Sequence, residues 1–221
     1  MSQNEVRETR IAWAMLILCP LSMIIIYLAV SAGFFPGVEA GHPVEYLQST
    51  CLMWAGLMVL PPLLRLLRIV ALPLWLLLLS CVVMYLYVLS LCMGFYFNVS
   101  WWGYFTHIIV STIVTGFVFL ALCVIETKTP KHMTFGSKKG MIIILFIISM
   151  SFGAIWEVLE AVVDLIAREN LMVYELVDTL GDLIADVVGV SAMSVTAWFV
   201  LGKYSTAEVA SQVRIRRKGK F

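Results

Sequence analysis

Residues 141–167 read MIIILFIISMSFGAIWEVLEAVVDLIA, with Lys138-Lys139 before them and Arg168 after. As an α-helix this run would extend about 40 Å, enough to cross a hydrocarbon core of about 30 Å. Its first half holds no charge. Its second half holds Glu157, Glu160 and Asp164, and carboxylates at such depth are expensive unless something compensates them. The stretch therefore predicts both a membrane span and a polar site within it.

Five further apolar runs cover residues 11–35, 44–64, 69–97, 104–125 and 175–202. The chain is 62% hydrophobic and 13% charged, with a mean hydropathy of +0.97; soluble domains carry about 25% charged residues. The expected fold class is all-α: a polytopic helix bundle of about six spans, one transmembrane domain over 1–221 with a basic tail at 203–221. Pro20 and Pro73 are expected inside helices and Pro61-Pro62 at the end of the second. The third run exceeds one span, which predicts tilt or a kink. The first run reads as a retained span rather than a cleaved signal. Cys19, Cys51, Cys81, Cys92 and Cys123 all lie in apolar stretches without metal-type spacing and read as packing residues.

Orientation follows from the basic residues. With the N-terminus inside, the inner segments hold Arg7, Arg10, Arg65, Arg68, Lys128, Lys131, Lys138 and Lys139. The tail adds Lys203, Arg214, Arg216, Arg217, Lys218 and Lys220, leaving only Arg168 outside. Both termini are expected in the cytoplasm of a cell (inner or plasma) membrane. Trp101, Trp102 and Tyr104 suit an outer aromatic belt. Asn98-Val99-Ser100 matches a glycosylation sequon, but it lies against the membrane and reads as chance.

All four aspartates fall between residues 164 and 186. On helical geometry Glu157, Glu160 and Asp164 share a face roughly 60° wide, and Asp178, Asp182 and Asp186 one roughly 80° wide. Gly153, Gly181 and Gly189 lie near these faces and permit close helix approach. The short connection makes the two helices antiparallel neighbours, so the acidic faces are expected to look at each other. Glu157 and Asp186 would lie about 15 Å below the outer surface. His107, with Ser111 and Thr115 at i+4 and i+8, gives the fourth span a polar stripe at the same level.

Three compensations are open: carboxyls held protonated, a bound cation, or a water-filled cavity. Oxygen ligands suit Mg, Mn or Ca, and an added imidazole opens Zn or Fe. The candidate metal ligands are His107, Glu157, Glu160, Asp178, Asp182 and Asp186. The best acid/base candidates are Glu157, Glu160 and Asp182. Plainer readings compete at the margins. Asp164 and Arg168 suit an i, i+4 salt pair. Glu175 and Asp178 suit a helix first turn. His107 suits an interfacial histidine bonded to a backbone carbonyl.

The segments His107…Gly116, Glu157-Val158-Leu159-Glu160 and Asp178-Thr179-Leu180-Gly181-Asp182, with Gly189 beyond, resemble the YjdF-like group of small prokaryotic membrane proteins. VanZ-like proteins are similar more distantly. Tyr104-Phe105-Thr106 stands where that group usually has an Asp before the His. The resemblance covers about residues 101–190 and implies a multi-span fold with a clustered polar site, without a reaction. The aspartate spacing also looks like half of an intramembrane prenyltransferase site, but the chain is too short for one. The Glu-x-x-His pair of di-iron bundles is absent.

The leading functional expectation is a divalent-cation site (Mg, Mn or Zn) acting on a membrane lipid or another outer-leaflet ligand. An ion- or proton-coupled transporter and a scaffold or partner subunit compete with it. The partners expected are lipid and a divalent cation, with a homo-oligomer allowed and no nucleic acid.

Overall fold

The computed structural model describes residues 3–67, 69–129, 135–168 and 176–215. Arg68, Lys131, Glu175, Arg216, Arg217, Lys218 and Lys220 lie outside the described residues. In chain order the elements are α1 (Gln3–Ser31), α2 (Val44–Leu66), β1 (Val70–Ala71), α3 (Leu74–Cys92), α4 (Phe95–Asn98), α5 (Trp102–Lys128), α6 (Lys138–Ala167), α7 (Leu176–Lys203), α8 (Thr206–Ala210) and β2 (Arg214–Ile215). Among the described residues six helices, α1, α2, α3, α5, α6 and α7, are long and apolar enough to cross a membrane. The architecture is an all-α polytopic membrane bundle.

The chain divides into two compact units, Met1–Ser100 with Gln212–Phe221, and Trp101–Ser211. In the first, α1 packs against α2 and α2 against α3. Met23, Leu47, Cys51, Met58, Leu77 and Cys92 belong to its core. The loop after α1 tucks onto the end of α3, where Gly37 N–H donates to the Cys92 carbonyl at 2.7 Å. A Cβ on Gly37 would collide with the Leu91 and Cys92 carbonyl oxygens, so glycine alone allows that approach. At the other end Arg65 pairs with Glu8 and reaches the Leu72 carbonyl at 3.3 Å.

Three local expectations change here. Pro61 and Pro62 do not end α2, which runs one more turn to Leu66; proline removes single backbone donors, and packed neighbours absorb the loss. Pro73 is the N-cap of α3 rather than an interior residue. The 69–97 run is not one kinked helix. It begins as β1, paired antiparallel with β2 through Val70↔Ile215 and Ala71↔Arg214. It breaks again at Gly94, whose φ of 70° favours glycine. Asn98 of the sequon donates to the Gly94 carbonyl at 3.0 Å, its amide used inside the turn.

The second unit is built on α5, α6 and α7, each packed against the other two, with α8 against α5. Ser137 caps α6 by accepting from Gly140 N–H. A reciprocal Ser205–Glu208 capping box starts α8. The buried residues of α6 form one stripe, Met141, Leu145, Ser149, Glu157, Glu160 and Asp164. It is apolar or hydroxylated near Lys138 and acidic toward Arg168. Ile143, Ile147, Ile155, Val158 and Leu159 on the other faces are exposed, as a lipid-facing surface requires.

Candidate carboxylate–imidazole site

Close helix contact assembles the site. A Cβ on Gly189 of α7 would collide with Ser111 Oγ and the Ile108 carbonyl of α5. Thr112 Oγ1 donates to the Gly189 carbonyl at 3.3 Å across the same contact. The Tyr104 ring lies on Gly181 in the same way. The α7 glycines therefore face α5, not α6 as the short α6–α7 connection had suggested. On α6 it is Gly153 that meets α7: a Cβ there would strike the Asp186 carboxylate.

His107 of α5 stands among three carboxylates. Its Nδ1 is 3.3 Å from Asp186 Oδ1 and 3.9 Å from Glu157 Oε1, and its Nε2 is 3.7 Å from Asp182 Oδ2. One donor atom each from His107, Glu157, Glu160 and Asp182 lies within 4.8 Å of all the others. Glu160 Oε1 accepts from Trp156 Nε1 at 2.7 Å. Glu157 is 6% exposed and Asp186 3%. Both Glu157 oxygens, Asp182 Oδ1 and Asp186 Oδ2 are buried without a hydrogen-bond partner.

Of the six residues expected as metal ligands, four form this group, Asp186 adjoins it through His107, and Asp178, half-buried, stands outside it. Asp164 is buried, and its carbonyl accepts the backbone N–H of Arg168, which leaves the helix with φ 57°. Trp156 is a site residue that spacing did not reveal. It precedes Glu157 in sequence, and only the fold shows that it turns to Glu160, one helical turn on.

Six spans and a buried cluster of carboxylates around one imidazole define a class: polytopic helical membrane proteins with an intramembrane polar site. The model of the family described as "Predicted membrane protein (DUF2238)" matches residues 19–203, and the chain belongs to that family. The match reaches the first three spans, which the motif resemblance did not. No curated protein and no solved structure matches the chain.

Proposed function

We propose that the cluster binds one divalent cation and uses it on a phosphate-bearing lipid or another outer-leaflet ligand. The observation that carries this is the set of buried, unpartnered oxygens on Glu157 and Asp182 beside His107 and Glu160. Buried carboxylates without donors are costly. A cation offsets that cost with ligand types suited to Mg, Mn or Zn. His107, Glu157, Glu160 and Asp182 would hold the ion. Asp186 would act as a positioning residue, fixing the imidazole through Nδ1 and leaving Nε2 toward Asp182. The ion would polarise a phosphate oxygen or activate water. Without an ion, Glu157, Glu160 and Asp182 would instead supply acid/base capacity.

The acidic faces turn into the chain's own bundle, which takes from the scaffold reading the polar surface it needs. An ion- or proton-coupled transporter would use the same oxygens. Flux in proteoliposomes, lost in the variants below, would favour it. The finer kinship with YjdF-like proteins rests on the α5–α7 motifs, and placement in the inner or plasma membrane on the basic segments.

The deciding measurement is metal analysis of protein purified without chelators, followed by calorimetric titration with Mg²⁺, Mn²⁺ and Zn²⁺. One ion per chain is expected. Glu157→Gln or Asp182→Asn should weaken its binding about 10- to 100-fold. Absence of bound metal together with no affinity for any of the three ions would overturn the proposal.

A further inference from the structure

The polar character of the α5–α7 bundle continues past the carboxylates toward its lysine-bearing end. On α5, Ser111 Oγ donates to the His107 carbonyl and Thr115 Oγ1 to the Ser111 carbonyl, each at 2.6 Å, so these hydroxyl protons are used on the helix's own backbone. Ser149 of α6 and Ser194 of α7 differ. They are 3% and 6% exposed, and neither hydroxyl has a hydrogen-bond partner in the protein. An acceptor was within helical reach of both. Ser151 bonds back to the Ile147 carbonyl and Thr196 to the Ala192 carbonyl, each at 2.9 Å. Ser149 and Ser194 forgo that bond and are covered by the neighbouring helices.

Close contacts set the levels. Gly153 of α6 meets Asp186 of α7, and near the far end Lys138 Nζ lies 4.1 Å over the Trp198 ring, so the two helices are antiparallel. Gly189 meets Ser111, and a Cβ on Gly116 would lie 3.9 Å from Met193 Cε, so α5 and α7 run parallel. At about 1.5 Å per residue, Ser149 lies about 6 Å beyond the Gly153–Asp186 level and Ser194 about 12 Å beyond it. Thr115 stands near the second of these levels. One turn further, Phe119, Ala197 and Met141 are buried and apolar.

We propose that a file of water molecules occupies this line, from Asp186 Oδ2 past Ser149 to Ser194, closed by Phe119, Ala197 and Met141. A hydroxyl both donates and accepts. A buried one without a protein partner is the kind of group that internal water satisfies. The free Asp186 oxygen gives the file an acceptor at its upper end. The file opens only onto the carboxylate cluster and ends blind at the apolar closure, and the contact of Gly153 with Asp186 leaves no width for an organic solute. It stands whether or not the cluster holds a metal.

The test places a thiol in the file. Full-length Ser149→Cys and Ser194→Cys proteins are treated with Ag⁺, an ion small enough to follow a file of water. Thiols still free are then alkylated under denaturing conditions, and the loss at each cysteine is quantified by mass spectrometry. A thiol binds Ag⁺ as the thiolate, which forms only where water reaches it. Native Cys123, fully buried on α5 beyond the apolar closure, is the dry internal reference. The new cysteines should react at least about tenfold faster than Cys123; rates equal to that of Cys123 would overturn the file. Should a variant unfold, seen as fast labelling of Cys123 itself, hydroxyl-radical footprinting of the unaltered protein decides. Leu145, level with Ser194, should then oxidise more than Leu122, which lies past the closure. Equal protection of the two leucines would reject the proposal.

Discussion

At the scale of single residues, the buried polar groups outside the site make the clearest thermodynamic statement. His42, in the loop between α1 and α2, is 2% exposed, and its Nε2 has no partner. The Phe97 ring lies 4.4 Å away, centre to centre. Desolvation pushes its pKa down from 6.5 to about 4. The unfolded chain therefore takes up a proton below pH 6.5 that the folded chain refuses until about pH 4. Stability contributed by neutral His42 is complete above that window and falls as the pH drops through it, by up to about 3 kcal/mol at full effect once solvent screening is allowed for. We expect the melting temperature of the unaltered protein to fall more steeply between pH 7.5 and 5 than that of His42→Gln. Parallel curves would show that His42 is not held neutral. No reading of the sequence singled out this residue. A lone histidine between Gly41 and Pro43 has no spacing to interpret, and its burial depends on Phe97, far away in the chain. His107 was legible because Ser111 and Thr115 repeat its face at helical intervals.

At the scale of the element, legibility followed the kind of force involved. Hydropathy and helical spacing act over a few turns and are written in consecutive residues, so the spans and the acidic faces of α6 and α7 could be read directly. Which helix each face meets is set by contacts between distant segments. Gly181 and Gly189 marked a close approach, but only the fold gives α5 as the partner. The extended start of the third apolar run had the same limit, because β1 finds its hydrogen bonds on β2, more than a hundred residues later. The α5–α7 contact makes a specific prediction. Gly189→Ala would push Ser111 and the Ile108 carbonyl away, separating the helices that bring His107 to Asp186. A clash of this kind costs about 1–3 kcal/mol. Gly56 in α2 has nothing within 4 Å of an added Cβ, and Gly56→Ala should be neutral or stabilise by up to about 1 kcal/mol. Thermal unfolding in detergent separates the two. Equal melting temperatures for both variants would mean that α5 and α7 are not in tight contact at Gly189.

At the scale of the whole molecule, each unit has one basic end. In the first, Arg65 joins Glu8 and the Leu72 carbonyl where α2 ends. In the second, Lys138 lies over Trp198 near Gly202, and Lys128 and Lys203 end their helices. The opposite end of the second unit carries the carboxylates. Cytoplasmic loops retain Lys and Arg, so we expect the basic ends inside and the carboxylate end of the second unit on the outer side. This orientation decides whether the site meets outer-leaflet ligands at all. Cysteines in exposed loops test it. Phe34→Cys, in the loop after α1 where Phe34 is 80% exposed, should react with a membrane-impermeant maleimide on intact cells. Lys139→Cys should react only after permeabilisation. The unaltered chain, whose five cysteines are buried or half-buried, supplies the background. The reverse labelling pattern would put the carboxylates on the cytoplasmic side. The cation site could then survive, but the ligand drawn to it would have to come from inside the cell.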